Sequence, residues 1–287
     1  MAEVAALTYY PVKGLGGISV SEVDLLETGL RHDREFMLVD PEDGTFHSQR
    51  TLPRMAAIRV AYDGATLQFN TPGAGALAIE PTEDGPRRDV SLFGRWFGSG
   101  VEQDGRARQW FTEVLGQPAT LVRVPPDHDR PGWGVHGGKA GFADAHALLV
   151  TSLASLDELN ARILETGGEP VPMNRFRPNI VVAGWSEPHT EDKVLEATIG
   201  AARIGYSARS IRCAVPRIDQ ATGERHGPEP TRTLSTYRRQ PDYDGGVSFG
   251  MKAAVLTPGR IAAGEAFRVD AWLPDGEDPG AIAHNNR

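Results

Sequence analysis

Apolar and polar positions alternate with a two-residue period through much of residues 1–125, which predicts half-buried strands. Residues 4–10 read as a first strand ended by Pro11, residues 14–17 as a glycine loop, and residues 18–26 as a second strand. Residues 35–39 form a short apolar strand, and Asp40-Pro41-Glu42-Asp43-Gly44 supplies the turn formers of its hairpin. A further hairpin is expected where residues 58–61 and 66–69 meet across Asp63-Gly64, because Asp-Gly suits a primed turn. The period changes at residues 105–115, where Trp110, Phe111, Val114 and Leu115 make the apolar stripe of a helix with core aromatics.

The proline-rich stretch 124–131 places a domain boundary near residue 125. Beyond it, residues 147–151 predict a strand, and Ser152 can cap the helix that follows. That helix buries Leu153, Leu156, Leu159 and Ile163 and stops at Gly167-Gly168. Residues 179–183, 199–206, 211–215, 253–256 and 267–272 are further strands. From residue 273 the composition turns to Pro, Asp, Gly and Asn, which predicts a disordered tail over 273–287. The fold class is mixed α/β and rich in β.

Charge and composition narrow the function. The net charge of −8 gives no electrostatic reason to expect a nucleic-acid partner. The apolar runs fall far short of the roughly 20 residues that span a bilayer, so no membrane partner is expected. The N-terminus has neither a basic nor an apolar signal region, and a single cysteine gives no disulfide framework. The expected compartment is the cytoplasm.

That single cysteine, Cys213, lies in Ser-Ile-Arg-Cys-Ala-Val-Pro-Arg, with Arg209, Arg212 and Arg217 nearby in sequence. Cationic neighbours favour the thiolate that attacks or coordinates metal. Buried filler is the other reading of a lone cysteine, and the residue alone leaves both open. A second stretch, Asn174-Arg-Phe-Arg-Pro-Asn-Ile, would in extended form put Arg175, Arg177 and Asn179 on one face. Two guanidinium groups and an amide suit a phosphate joined to a heterocycle, and a solvated strand edge is the alternative. Lys13-Gly-Leu-Gly-Gly17 has the composition of a phosphate-contacting loop without the spacing of a P-loop. Asp33-Arg34 offers another guanidinium, or an exposed ion pair. His146 beside Asp144 could form a supporting pair, but no His-Glu-x-x-His or Gly-x-Ser-x-Gly is present.

Taken in order, Tyr10-Pro-Val-Lys-Gly14, residues 174–180, Arg212-Cys213 with Asp219-x-x-Thr-Gly223, and Phe249-Gly250 before Pro258-Gly259 resemble the MOSC superfamily. The likeness, over residues 4–270, is to MOSC proteins with an N-terminal β-barrel domain, among them the mitochondrial amidoxime-reducing components and their bacterial relatives. It implies a β-barrel-like domain over 1–125 and a MOSC β-barrel domain with a few helices over 126–272. It also implies a molybdenum cofactor (molybdopterin with Mo), with Cys213 as catalytic residue and metal ligand; pyridoxal phosphate is not expected. By resemblance Lys13, Arg34, Arg177 and Asn179 surround the phosphate and pterin, with Arg212 beside the thiolate. Ser152 at its helix N-terminus and Asp144 match as well, and the cationic strand 175–179 adds Arg175 as a further candidate contact. The implied activity is reduction of N-hydroxylated small molecules, with a molybdenum cofactor carrier or sulfur-transfer protein as the alternative. No targeting or anchor segment and no ferredoxin domain are expected. Electrons would come from a separate partner, a flavin reductase, a ferredoxin or a cytochrome b5-like protein.

Overall fold

The structure, a computed structural model, describes residues 1–92, 94–274, 276 and 278–281. Its first half holds β1 (Glu3–Tyr9), β2 (Ile18–Val20), β3 (Glu22–Leu26), β4 (Gly29–Leu30), β5 (Phe36–Val39), β6 (Arg59–Tyr62), β7 (Leu67–Asn70), β8 (Leu77–Ile79), β9 (Arg87–Leu92) and β10 (Arg95–Glu102). Helix α1 (Gly105–Leu115) and β11 (Thr120–Arg123) complete it. The second half holds β12 (Leu148–Ser152), α2 (Leu153–Glu165), β13 (Ile180–Ala183), β14 (Val194–Ile199) and β15 (Ala202–Ile211). It ends with α3 (Thr231–Tyr237), β16 (Arg239–Gln240), β17 (Gly246–Thr257), β18 (Gly259–Ala262) and β19 (Phe267–Trp272).

The largest sheet runs β19-β14-β15-β17-β12-β13-β1-β2. It closes on itself, because β1 also bonds the start of β19: Val4 N donates to Glu265 O and Phe267 N donates to Ala2 O, both at 2.9 Å. A closed sheet leaves fewer strand edges open to other chains. Its interior is filled by side chains from alternate positions, among them Leu7, Ile180, Val182, Ile204, Tyr206, Met251 and Phe267. Two smaller sheets, β5-β11-β10-β9 and β6-β7-β8, flank the core that α1 seals with Ala107, Phe111 and Leu115.

The expected helix at 105–115 and the hairpin across Asp63-Gly64 are present, the latter with Tyr62 opposite Leu67. Asp63 Oδ1 accepts from Ala65 N and Thr66 N, which sets the turn. Several expectations change. The strand expected over 18–26 divides at Ser21, β2 joining β1 and β3 joining β18. The strand expected over 199–206 spans a turn at Gly200, whose φ of 56° only glycine adopts easily, so β14 and β15 form a hairpin about it. The strand expected over 253–256 is the end of a twelve-residue β17. Leu153 is 39% exposed, because Ser155, Leu159 and Ile163 form the buried face of α2 and Leu153 lies off it. Of the expected tail, Asp278 accepts from Tyr206 Oη at 2.8 Å and pairs with Arg209, and Ala281 is buried against Ala208 and Tyr243. Residues 275, 277 and 282–287 lie outside the described residues.

Candidate functional site

A cleft opens where the glycine loop, the segment 46–50 and the loop 143–146 meet the start of β12, the end of β15 and the middle of β17. It holds ≈930 Å³ of space, its open mouth included. Lys13, Arg34, Arg50, Arg177, Arg212 and Lys252 line it, and Asp144 is the only carboxylate among its described lining residues. A chain with net charge −8 thus gathers cations at one place, which raises the local concentration of anions.

Lys13 reaches the cleft because Pro11 ends β1 and the next residues bond β5: Lys13 N donates to Phe36 O at 2.8 Å. Its side chain is buried, with Nζ donating to Phe142 O at 2.9 Å and to Asp144 Oδ1. Burial lowers the Lys13 pKa, opposed by Asp144. Crowding by the cleft walls would raise the Asp144 carboxyl, which is itself exposed, but Lys13, then Lys252 and Arg50, outweigh it and hold the carboxyl well below its usual range.

Arg34 and Arg177 share an unusual backbone. Both have left-handed φ, 49° and 58°, a region in which non-glycine residues are strained. Both guanidinium groups lie over the Tyr10 ring, at 4.4 and 4.2 Å from its centroid. Asp33 and Arg34 form a buried pair rather than an exposed one, with Arg34 Nη1 also donating to Asn179 Oδ1 at 3.1 Å. Asn179 uses both ends of its amide inside the protein, accepting from Leu149 N and donating to Thr8 O.

The segment 173–179 is not extended. Met173–Arg175 is a 3₁₀ turn, Phe176 is helical, and Arg177 reverses the chain before β13 begins. Alternation therefore fails, and Arg175 separates from Arg177. Arg175 is buried outside the cleft and braces the loop after Cys213, donating to Asp219 Oδ2 at 3.1 Å and to Pro216 O at 3.5 Å.

Cys213 is half-buried on the cleft wall. The strand expected over 211–215 ends at Ile211, and Val215–Arg217 is a 3₁₀ turn, so the cysteine sits in the loop between them. Arg212 beside it donates to Ser210 Oγ at 2.9 Å and to Phe176 O at 2.8 Å. Burial lowers the Arg212 pKa, with Cys213 and Asp144 opposing. Arg209 and Arg217 turn away, to Asp278 and to Gly227 O.

Ser152 does not reach the cleft. It is fully buried and caps α2 by accepting from Ser155 N, while its hydroxyl donates to Glu191 Oε2 at 2.9 Å. Glu191 also accepts from Ser152 N and Ser155 Oγ, so the protein fills this helix N-terminus with its own carboxylate. The loop residues Ala145 and His146 line the cleft instead. His146 bonds Trp133 O through Nε2 at 2.8 Å. Sequence reasoning missed Gln49, Arg50, Ser210 and Lys252, which come from loops and strands that carry no local signal of a site.

A closed β-barrel joined to smaller sheets, with a cationic cleft that carries one thiol on its wall, defines a class of two-part β-proteins. Residues 1–118 match the family model of the MOSC N-terminal beta barrel domain and residues 137–268 that of the MOSC domain, and the chain belongs to the MOSC family. It is 31% identical over 285 residues to "Mitochondrial amidoxime-reducing component 1" of Mus musculus, covering 91% of this chain and 80% of that protein. The human protein of the same name is 31% identical over 287 residues, with 91% and 81% covered. "Molybdenum cofactor sulfurase" of Oryza sativa subsp. japonica is 30% identical over 294 residues; the match spans 95% of this chain and 34% of that longer protein.

Proposed function

We propose that the chain is an oxidoreductase that binds a molybdenum cofactor and reduces N-hydroxylated compounds by two electrons, with loss of the oxygen as water. The observation that carries the reading is Cys213 on the wall of a cleft whose other charged groups are almost all cations. The residues fit such a cofactor. Arg212 Nε is buried on this wall without a partner, and an unsatisfied buried donor is costly unless a ligand accepts from it. Lys13 Nζ spends two of its three donors on Phe142 and Asp144, which leaves one for an anion. A cysteine thiolate is a soft ligand suited to molybdenum, and among the described residues no group of three or more His, Cys, Asp or Glu could hold a metal alone.

In this reading Cys213 ligates the metal, and Lys13, Arg34, Arg177 and Arg212 hold the cofactor's anionic end. Bound there, the cofactor supplies two-electron redox chemistry. Asp144 stays ionised and fixes Lys13, so it is not the source of a proton at neutral pH. Asn179 and Arg175 hold Arg34 and the Cys213 loop in place. A separate protein delivers the electrons, in the cytoplasm. Among the described residues no helix is long and apolar enough to cross a membrane.

The test is Cys213→Ser, assayed with benzamidoxime and an artificial electron donor. Loss of turnover with an unchanged fold is expected, and turnover at the parent rate refutes the role. A second reading, a cofactor carrier or sulfur-transfer protein, draws on the likeness to the rice sulfurase. Molybdenum content without any reductase turnover in the parent protein would favour it.

A further inference from the structure

A second cleft, of ≈1020 Å³ with its mouth included, shares one lining residue with the cleft at Cys213, and that residue is Arg177. Val60, Met173 and Val181 give it an apolar surface, while Arg59, Arg177 and Gln220 supply polar groups. Its edge is the glycine loop. A Cβ on Gly17 would lie 2.5 Å from Tyr10 Cε1, and one on Gly16 would lie 2.9 Å from Ile58 O. Only glycine lets the loop approach this closely, so backbone rather than side chain borders the opening.

Arg177 is 9% exposed, and its guanidinium is only half satisfied: Nη1 donates to Gln220 Oε1 at 3.0 Å, whereas Nη2 is buried without a partner. Burial pushes its pKa down to about 10 despite Tyr10 beside it. A charged donor held in this way is stabilised by an anion. Arg59 is exposed on the same cleft and has no ion-pair partner among the described residues.

We infer that this second cleft binds a small organic anion, its charge held by Arg59 and Arg177 and its apolar body against Val60, Met173 and Val181. Polar anchors over an apolar lining are the usual composition of a small-molecule site. Because Arg177 also lines the cleft at Cys213, anions in the two clefts draw on one guanidinium and are thermodynamically linked.

Octanoate titrated calorimetrically into the full chain tests this, with octanol as the neutral control. Saturable one-to-one binding of octanoate is expected, with none of octanol. Arg59→Glu and Ser19→Trp, both at exposed positions bordering the cleft, should weaken it by about tenfold or more while circular dichroism stays unchanged. Binding should survive alkylation of Cys213, which lies in the other cleft. The inference fails if octanoate does not bind, if both variants bind it as tightly as the parent, or if alkylation abolishes binding.

Discussion

Gln49 and Gln220 face each other as reciprocal amides: Gln49 Nε2 donates to Gln220 Oε1 at 3.1 Å, and Gln220 Nε2 donates to Gln49 Oε1 at 3.0 Å. The pair joins the segment after β5 to the loop after Cys213. It also orients cleft residues, since Gln49 Nε2 donates to Gly14 O and Gln220 Oε1 accepts from Arg177.

Removing either partner strands buried groups of the other. Gln49→Ala and Gln220→Ala should each cost about 1–3 kcal/mol in urea unfolding. The double variant should cost less than their sum, because the second change removes groups already unpaired. Additive losses would show that the pair is not coupled.

Ser152→Ala should lower stability by about 0.5–2 kcal/mol through loss of the α2 cap. It should leave the molybdenum content per folded molecule unchanged, since Glu191 occupies that helix N-terminus. A fall in metal content without loss of stability would restore Ser152 as a cofactor contact.

Arg212→Ala and Arg175→Ala should separate binding from bracing. The first removes a cleft donor and should reduce molybdenum content while leaving proteolysis of the segment 214–223 at the parent rate. The second frees Pro216 O and Asp219, so faster proteolysis of the segment 214–223 is expected. Equal effects of the two on metal content and on proteolysis would erase the distinction.

Two buried groups beneath α2, Glu191 and His189, give opposed pH dependences. Burial, then Asp192, raises Glu191 to about 7, above its ordinary 4.5. The folded state then holds the extra proton, so this group's contribution is largest below pH 4.5 and is lost as pH rises towards 7. Burial, then Arg238, lowers His189 to about 3 from 6.5, so the unfolded state binds the extra proton and stability falls as pH drops from 6.5. Glu191→Gln should therefore steepen acid destabilisation between pH 6.5 and 4.5, and His189→Gln should flatten or reverse it. Urea midpoints measured at pH 4.5, 5.5 and 6.5 decide the matter; unchanged slopes in both variants would refute it.

The sequence was legible where local rules act alone. Helix α1 has its cap at Asp104 and its stop at Gly116, and both ends follow from the apolar stripe between them. Cys213 stood out because it is the only thiol. The run 174–180 misled because alternation assumes extended backbone, and Arg177 instead holds a left-handed turn over Tyr10 that only tertiary contacts sustain. The helix N-terminus at Ser152 misled for a related reason: the carboxyl group that fills it, Glu191, lies 39 residues away in sequence. Lys252 faces the cleft from a strand, and Gln49 finds Gln220 across 171 residues, so no window of sequence could pair them.

The first strand carries a lesson about timing. Glu3 pairs with Ala183 on one side and with Ala266 on the other. At ~5–20 residues per second, a ribosome releases this strand roughly ten seconds or more before its final partner exists. The barrel can be sealed only when synthesis has passed the start of β19, and until then the edge of β1 at Glu3 and Val4 waits open, although β2 and β13 already hold the rest of the strand. The cleft takes its last lining residue, Lys252, from β17, so its wall too is completed only late in synthesis.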